Sequence, residues 1–354
     1  MSVAADTTAG PTGRLRAPSD GIVAAIGDTP LVRLRRLLLR PDIDVWAKLE
    51  SANPGGSAKD RPAARMIEDA LAQGLVDVGT TVVESSSGNM GIGLAQACRY
   101  HGLQLICVVD ARAHATSVRA MRALGADVRV VNEPDPETGD LLVARLNLVQ
   151  RLLVEIPDSF WPDQYGNESN PAAHAEGTMR EIDEALDGQL DYLFVATSTT
   201  GTVRGCGDYL RENGRATRLV AVDSVGSALF GGLRGTRRLP GFGAGVETPL
   251  SAGAEIDDLV RVSDLACVIG CRRLAAREAL LAGASSGGVA FALAAAAADM
   301  PPGSRCAAIF PDGGSGYLET IYDDDWVERE LGCDAVRLAD LAGEGVFASL
   351  PAFP

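Results

Sequence analysis

TVVESSSGNMGIGLAQACRYHGLQLICVVD, from Thr81 to Asp110, decides the fold. Thr81 to Ser85 is a short β-rich run, Met90 to Tyr100 has helical period, and Gln104 to Asp110 is a second apolar run of strand length. A strand that returns through a helix to another strand forms a parallel pair, because the crossover brings the chain back to its starting end. The same alternation extends outward. Asp44 to Glu50 and Pro62 to Gln73 precede the stretch as strand and helix; Ser117 to Leu124, Asp127 to Val131 and the helical region Leu141 to Glu155 follow it. A second series runs through strand Tyr192 to Ala196, helix Val203 to Glu212 and strand Leu219 to Asp223. It ends with helices Leu265 to Leu281 and Val289 to Ala298 and strand Ala307 to Phe310. This is an α/β protein with two parallel-sheet lobes, and a ligand is expected between them at strand C-terminal ends. No periodic pattern is assignable from Ala335 to Pro354.

A hydrophobic fraction of 46% with 5% aromatics describes an aliphatic globular core in a chain of 354 residues. The net charge of −15 argues against nucleic acid and anionic lipid as partners, and for small molecules or copies of the chain itself. The first twenty residues lack an apolar signal-peptide core, so we expect a disordered leader and a cytoplasmic protein. Seven scattered cysteines give no disulfide framework. Cys267 and Cys271 share a helical face, but none of the histidines, His101, His114 and His174, lies at ligand spacing from them, so buried thiols are expected in place of a zinc site. The most lipid-like stretch, Ala279 to Ala298, is broken by Gly283, Ser285, Ser286, Gly287 and Gly288 and reads as a buried loop and helix.

Only two lysines, Lys48 and Lys59, stand among thirty arginines. A guanidinium cannot attack a carbonyl, whereas a lysine amine can lose its proton and do so. Lys59 lies in a polar turn, Asn53-Pro-Gly-Gly-Ser-Ala-Lys-Asp-Arg-Pro62. Three further strand-to-helix junctions carry small polar residues. In Glu84-Ser-Ser-Ser-Gly-Asn-Met-Gly91, helix-start amides with the Ser86 and Ser87 hydroxyls suit a carboxylate or phosphate, and Asn89 can donate to an anionic oxygen. Thr197-Ser-Thr-Thr-Gly-Thr-Val-Arg-Gly205 could cradle a phosphate, although it is no Walker loop and no dinucleotide fingerprint is present. Gly283-Ala-Ser-Ser-Gly287 precedes an Ala-rich helix. Taken singly these signals are weak: the Ser-rich loop reads equally as a helix cap, and Gly283-Ala-Ser-Ser-Gly287 alone reads as a tight turn with a cap.

Their order along the chain, with Ile26-Gly-Asp-Thr-Pro-Leu-Val32 ahead of them, resembles the fold-type II pyridoxal-phosphate enzymes, the cysteine synthase group, from about Gly27 to Trp326. The resemblance implies a leader at 1–21, a larger cofactor-binding lobe from 22–52 and 160–334, a smaller mobile lobe from 53–159, a tail at 335–354, and a homodimer. It implies a Schiff base between Lys59 and pyridoxal 5'-phosphate, and a phosphate cup from Ser198, Thr199, Thr200, Gly201 and Thr202. Asn89 would hold the ring oxygen and Ser285 would face the pyridine nitrogen. Ser86, Ser87, Gly88 and Asn89 would clamp the substrate α-carboxylate. A hydroxyl at the pyridine nitrogen cannot enforce ring protonation, which weakens the electron sink and favours expelling a β-leaving group. The phosphate loop departs from the commoner Gly-Thr-Gly-Gly-Thr form by carrying Ser198 and Thr200.

Within the group, the strings Asn53-Pro-Gly-Gly-Ser, Val195-Ala-Thr-Ser-Thr-Thr-Gly, Asp163-Gln-Tyr-Gly-Asn-Glu and Pro311-Asp-Gly-Gly-Ser-Gly-Tyr resemble a branch of amino-acid-joining synthases. These form N-(2-amino-2-carboxyethyl)-L-glutamate from O-phospho-L-serine and L-glutamate, en route to 2,3-diaminopropionate in siderophores and peptide antibiotics. The branch implies Arg145, Tyr165 and Ser198 as acceptor-site residues, where the residues alone allow a helix-surface charge at Arg145 and a packing ring at Tyr165. A cysteine synthase using O-acetylserine or O-phosphoserine shares every cofactor residue. A non-catalytic ligand sensor of this fold would have no need of Lys59.

Overall fold

The computed structural model describes residues 18–139 and 141–343. The described strands are β1 (Leu31–Arg33), β2 (Asp44–Leu49), β3 (Thr81–Ser85), β4 (Gln104–Asp110), β5 (Asp127–Val131), β6 (Ser159–Phe160), β7 (Tyr192–Ala196), β8 (Arg218–Ser224), β9 (Asp258–Val262) and β10 (Arg305–Phe310). They form two sheets, a four-stranded one in the order β5-β4-β3-β6 and a six-stranded one in the order β1-β2-β10-β7-β8-β9. Every pairing is parallel except that of β1 with β2.

Burial on both faces explains why the strands read as continuous apolar runs. In the smaller sheet Val82, Leu105, Cys107 and Val109 pack with Met66, Ile67 and Leu94 of helices Asp60–Ala72 and Asn89–His101. Their neighbours Val83, Ile106 and Val108 point the other way, against Val149 and Leu152 of helix Leu141–Glu155. The larger sheet repeats the device. Phe194, Val220, Val222 and Ala308 face helices Asp264–Glu278 and Ala284–Ala296. Leu193, Val195, Ala221 and Ile309 face helices Arg180–Ala185 and Gly201–Glu212. Helices Asp264–Glu278 and Ala284–Ala296 touch backbone to backbone, since a Cβ on Gly270 would lie 2.0 Å from the Gly287 carbonyl oxygen. The lipid-like stretch is thus a core helix, and no described helix is long and apolar enough to cross a membrane. All seven cysteines are buried and unbridged, and the Cys271 thiol faces the Ala282 and Gly283 carbonyls at 3.6 and 3.3 Å.

Three differences from the sequence reading bear on the site. The small polar loops run straight into their helices, which begin at Asp60, Asn89, Gly201 and Ala284. Ser285 therefore belongs to the first turn of its helix and not to a loop before it, and the expected loop amides are helix N-terminal amides. Between β6 and β7, which the sequence leaves unassigned, the chain forms a nearly continuous helical segment, Ser169–Ala173, a π-helical turn at His174–Met179, and Arg180–Ala185. Finally, residues 335–342 of the expected patternless tail form a helix; the Asp334 carboxylate caps it by accepting from the Arg337 amide at 2.8 Å, and Leu338 is buried in the larger core. Of the expected leader, residues 1–17 lie outside the described residues, as do residues 344–354 of the tail.

Candidate active site

Lys59 occupies the cap position of helix Asp60–Ala72 with αR backbone angles. Its turn is stapled from both sides. The Asn53 side chain donates to the Glu50 carbonyl at 3.0 Å and to the Ser57 carbonyl at 3.1 Å, and accepts from the Gly27 amide at 2.9 Å. The last bond ties the Ile26-Gly-Asp-Thr-Pro stretch to the lysine turn. Lys59 is half-buried, with its ammonium desolvated by the surrounding protein. That burial lowers its pKa, against the opposing pull of the Asp312 carboxylate. The amine is therefore easier to deprotonate than a surface lysine.

Lys48, the other lysine, is structural. Its ammonium donates to the Thr29 carbonyl at 2.7 Å and pairs with Glu181 at 2.6 Å. Arg61 joins the same Glu181 at 2.7 Å and Glu50 at 2.7 Å. Two cations and two carboxylates thus form a buried, charge-balanced cluster beneath the lysine turn.

Across from Lys59, helix Asn89–His101 begins at the Ser-rich loop. Ser86 Oγ accepts from the Gly91 amide at 3.0 Å, and Asn89 Nδ2 donates to Asp312 at 2.9 Å. Ser87 Oγ accepts from Arg145 Nη1 at 2.9 Å, so the structure brings Arg145 onto the loop expected to hold a carboxylate. Arg145 also lies 3.5 Å from Asp110. Burial raises the Tyr165 phenol pKa, and the charge of Arg145 opposes this, which places the ring in the electrostatic reach of that guanidinium. Gly88, in an open backbone conformation, has free space where a side chain would stand.

After β7, Thr199 and Thr200 are buried and Ser198 is partly exposed. Thr200, where the commoner loop has glycine, is left-handed at φ 70°, a strained state for a β-branched residue that costs about 1–3 kcal/mol. Its hydroxyl holds it there, 2.6 Å from the Thr199 carbonyl and 3.2 Å from Thr248 Oγ1. Gly201 and Thr202 open helix Gly201–Glu212, whose free amides favour an anion. Ser285 is buried in the first turn of helix Ala284–Ala296. No hydrogen bond links Ser198 or Ser285 to the Ser87–Arg145 group.

Three buried residues escaped the sequence reading. His174, on the π-helical turn, bridges Thr178 at 3.0 Å and Thr202, in the loop expected to hold the phosphate, at 3.2 Å; burial pushes its pKa well below the usual imidazole value. Glu84 accepts from the amides of Ser85 at 2.7 Å and Gln164 at 3.2 Å, tying the Ser-rich loop to the segment carrying Tyr165; burial raises its pKa to about 7. Asp312 is treated below. The position of Glu84 at the end of β3, and the i, i+4 pair His174 and Thr178, are the sequence signals that could have found two of them.

A buried lysine amine with a lowered pKa near a hydroxyl-lined helix start is chemistry that can hold an aldehyde cofactor. The chain matches the family described as "Pyridoxal-phosphate dependent enzyme" over residues 22–312 and belongs to it. Its cofactor is pyridoxal 5'-phosphate, and the donor set just described fits that group. The N-(2-amino-2-carboxyethyl)-L-glutamate synthase of Ralstonia nicotianae is 42% identical over 330 residues, 93% of this chain and 95% of that protein. Among solved structures, an O-ureido-L-serine synthase matches with a TM-score of 0.79 at 31% identity, covering 93% of this chain and 97% of that one. The O-acetylserine dependent cystathionine beta-synthase from Helicobacter pylori matches with a TM-score of 0.80 at 33% identity, covering 87% and 100%. The fold-type II resemblance read from the five motifs is borne out.

Proposed function

We propose that this protein joins O-phospho-L-serine to L-glutamate, giving N-(2-amino-2-carboxyethyl)-L-glutamate and phosphate. The contact that carries the reading is Arg145 on Ser87, which sets a cation at the edge of the donor loop where a dicarboxylic acceptor must approach. The 42% identity to a synthase of that product supports it. When bound, pyridoxal phosphate supplies an aldehyde that condenses with amines and a ring that accepts electrons from the α-carbon.

The protein's own groups divide the remaining work. Ser86, Ser87, Gly88 and Asn89 hold the donor α-carboxylate by hydroxyl and amide donors. Ser198 to Thr202 hold the cofactor phosphate, Asn89 its ring oxygen, and Ser285 its ring nitrogen. Lys59 Nζ, once free, takes the α-proton of the donor, for which its lowered pKa suits it. The β-carbon to phosphate-oxygen bond breaks, and the glutamate nitrogen forms the new bond to that carbon. Arg145, Tyr165 and Ser198 receive the glutamate carboxylates. The product feeds 2,3-diaminopropionate into a siderophore or peptide antibiotic, and the enzyme acts in the cytoplasm as a homodimer, each protomer having a smaller mobile lobe, 53–159, and a larger one, 22–52 plus 160–334.

Incubating holoenzyme with phosphoserine and glutamate, then measuring phosphate release and product mass, tests the reaction. The conjugate should be the main product; efficient formation of cysteine from sulfide with no efficient product from glutamate would defeat the reading. Arg145→Ala should raise the glutamate KM by roughly 10-fold to 100-fold, as expected for a charge-assisted contact of about 1.5–3 kcal/mol. Cofactor absorbance should stay the same. An unchanged glutamate KM removes Arg145 from the acceptor site.

A further inference from the structure

Asp312 follows β10 at the point where three of the site's loops meet. Its backbone forms an isolated bridge with Ser57 of the lysine turn, and the next residue, Gly313, bridges Ala282 beside the Ser285 helix. The Ala58 amide donates to the Pro311 carbonyl at 2.7 Å, and the Gly283 amide to the Asp312 carbonyl at 3.0 Å. The side chain reaches the third loop, where Oδ2 accepts from Asn89 Nδ2 at 2.9 Å and from the Tyr317 hydroxyl at 2.9 Å. The other oxygen, Oδ1, is buried with no hydrogen-bond partner in the protein. Gly283 makes room for it, since a Cβ there would lie 1.9 Å from Oδ1.

A carboxylate oxygen that is buried and unpaired costs free energy unless something uses it. Among the charged groups around Asp312, the Lys59 ammonium is the cation. Tyr317 stands on the turn after β10, Cys271 on helix Asp264–Glu278, and His174 faces Lys59 from the π-helical turn.

We propose that Asp312 is a positioning residue with two tasks: it fixes the Asn89 amide so that an N–H points at the cofactor ring oxygen, and it is the counter-charge to Lys59 Nζ whenever that amine is free and protonated. The first task follows from the amide geometry. With Asn89 Nδ2 donating one proton to Oδ2, the amide cannot flip, and its second proton has a fixed direction. The second follows from Oδ1, a buried acceptor left without a partner; no ion pair joins it to Lys59 Nζ in this structure, and the two charges act on each other through space. Burial is the larger effect on Asp312 and raises its pKa, against the pull of Asn89, Tyr317 and Lys59 in the other direction.

The inference rests on Lys59 being the cofactor lysine proposed above. The rate at which apoprotein takes up pyridoxal phosphate tests it without reference to turnover, because only the neutral amine reacts and the rate rises with pH through the Lys59 pKa. A negative charge raises that pKa, so Asp312→Asn should shift the midpoint of the rate profile to lower pH by about one unit. Tyr317→Phe, which keeps the charge and removes one hydrogen bond, should leave the midpoint within a few tenths of a unit of the parent. A midpoint unmoved or moved upward in Asp312→Asn overturns the counter-charge, as does an equal shift in both variants. Lys59→Ala is the control for the underlying assignment: a profile that survives in it means that another amine reacts, and the failure then lies with Lys59 and not with Asp312.

Discussion

Lys59→Ala should lower phosphoserine turnover by about three orders of magnitude or more, because one substitution removes both the amine that tethers the cofactor and the base that takes the α-proton; a positioned base alone is worth about 10²–10⁴-fold. The purified variant should also lack the visible absorbance of lysine-bound cofactor while keeping the far-ultraviolet circular dichroism of the parent. The fold should tolerate the change, since Lys59 is a half-buried cap residue and no side-chain hydrogen bond holds the helix at that position. Turnover within tenfold of the parent would remove Lys59 from the mechanism.

The second large effect concerns stability. Glu181→Ala should destabilise the protein by about 3–5 kcal/mol, because Lys48 and Arg61 would stay buried with one carboxylate between them in place of two. Glu181 also gives the cluster a pH signature. Burial raises its pKa, but the Arg61 hydrogen bonds and the charges of Arg61 and Lys48 outweigh burial and hold it at about 2, below the usual 4.5. A carboxyl depressed in the folded state stabilises fully above its unfolded pKa and loses that contribution as pH falls through the folded one. The parent should therefore lose stability between about pH 4.5 and pH 2, and Glu181→Ala should lose less over that interval. Denaturant melts at a series of pH values measure this, and parallel pH dependence in the two proteins would show that the cluster does not carry the acid sensitivity.

Much of this arrangement was legible in the residues. The alternation around Thr81 to Asp110 gave β3, β4 and the helix between them, because strands buried on both faces leave unmistakable apolar runs. The scarcity of lysine pointed to Lys59, and the order of small polar loops led to the family. What the sequence withheld was pairing between distant segments. Nothing local marks Asp312 as a partner of Asn89, 223 positions away, or Glu181 as the partner of Lys48 and Arg61. β9 has the mixed sequence Asp-Leu-Val-Arg-Val and becomes a strand by pairing with β8 at the sheet edge. The helix at Ala335–Ala342 depends on the Asp334 cap and on the burial of Leu338, which local periodicity does not display. Lys48 shows the same limit: its rarity was visible, but only the folded cluster explains why a compact ammonium stands there.

The presence of just two lysines makes the central claim unusually direct to test. Holoenzyme reduced with borohydride and digested should yield the reduced cofactor on the peptide containing Lys59. Label on the Lys48 peptide, or on neither, would contradict the account.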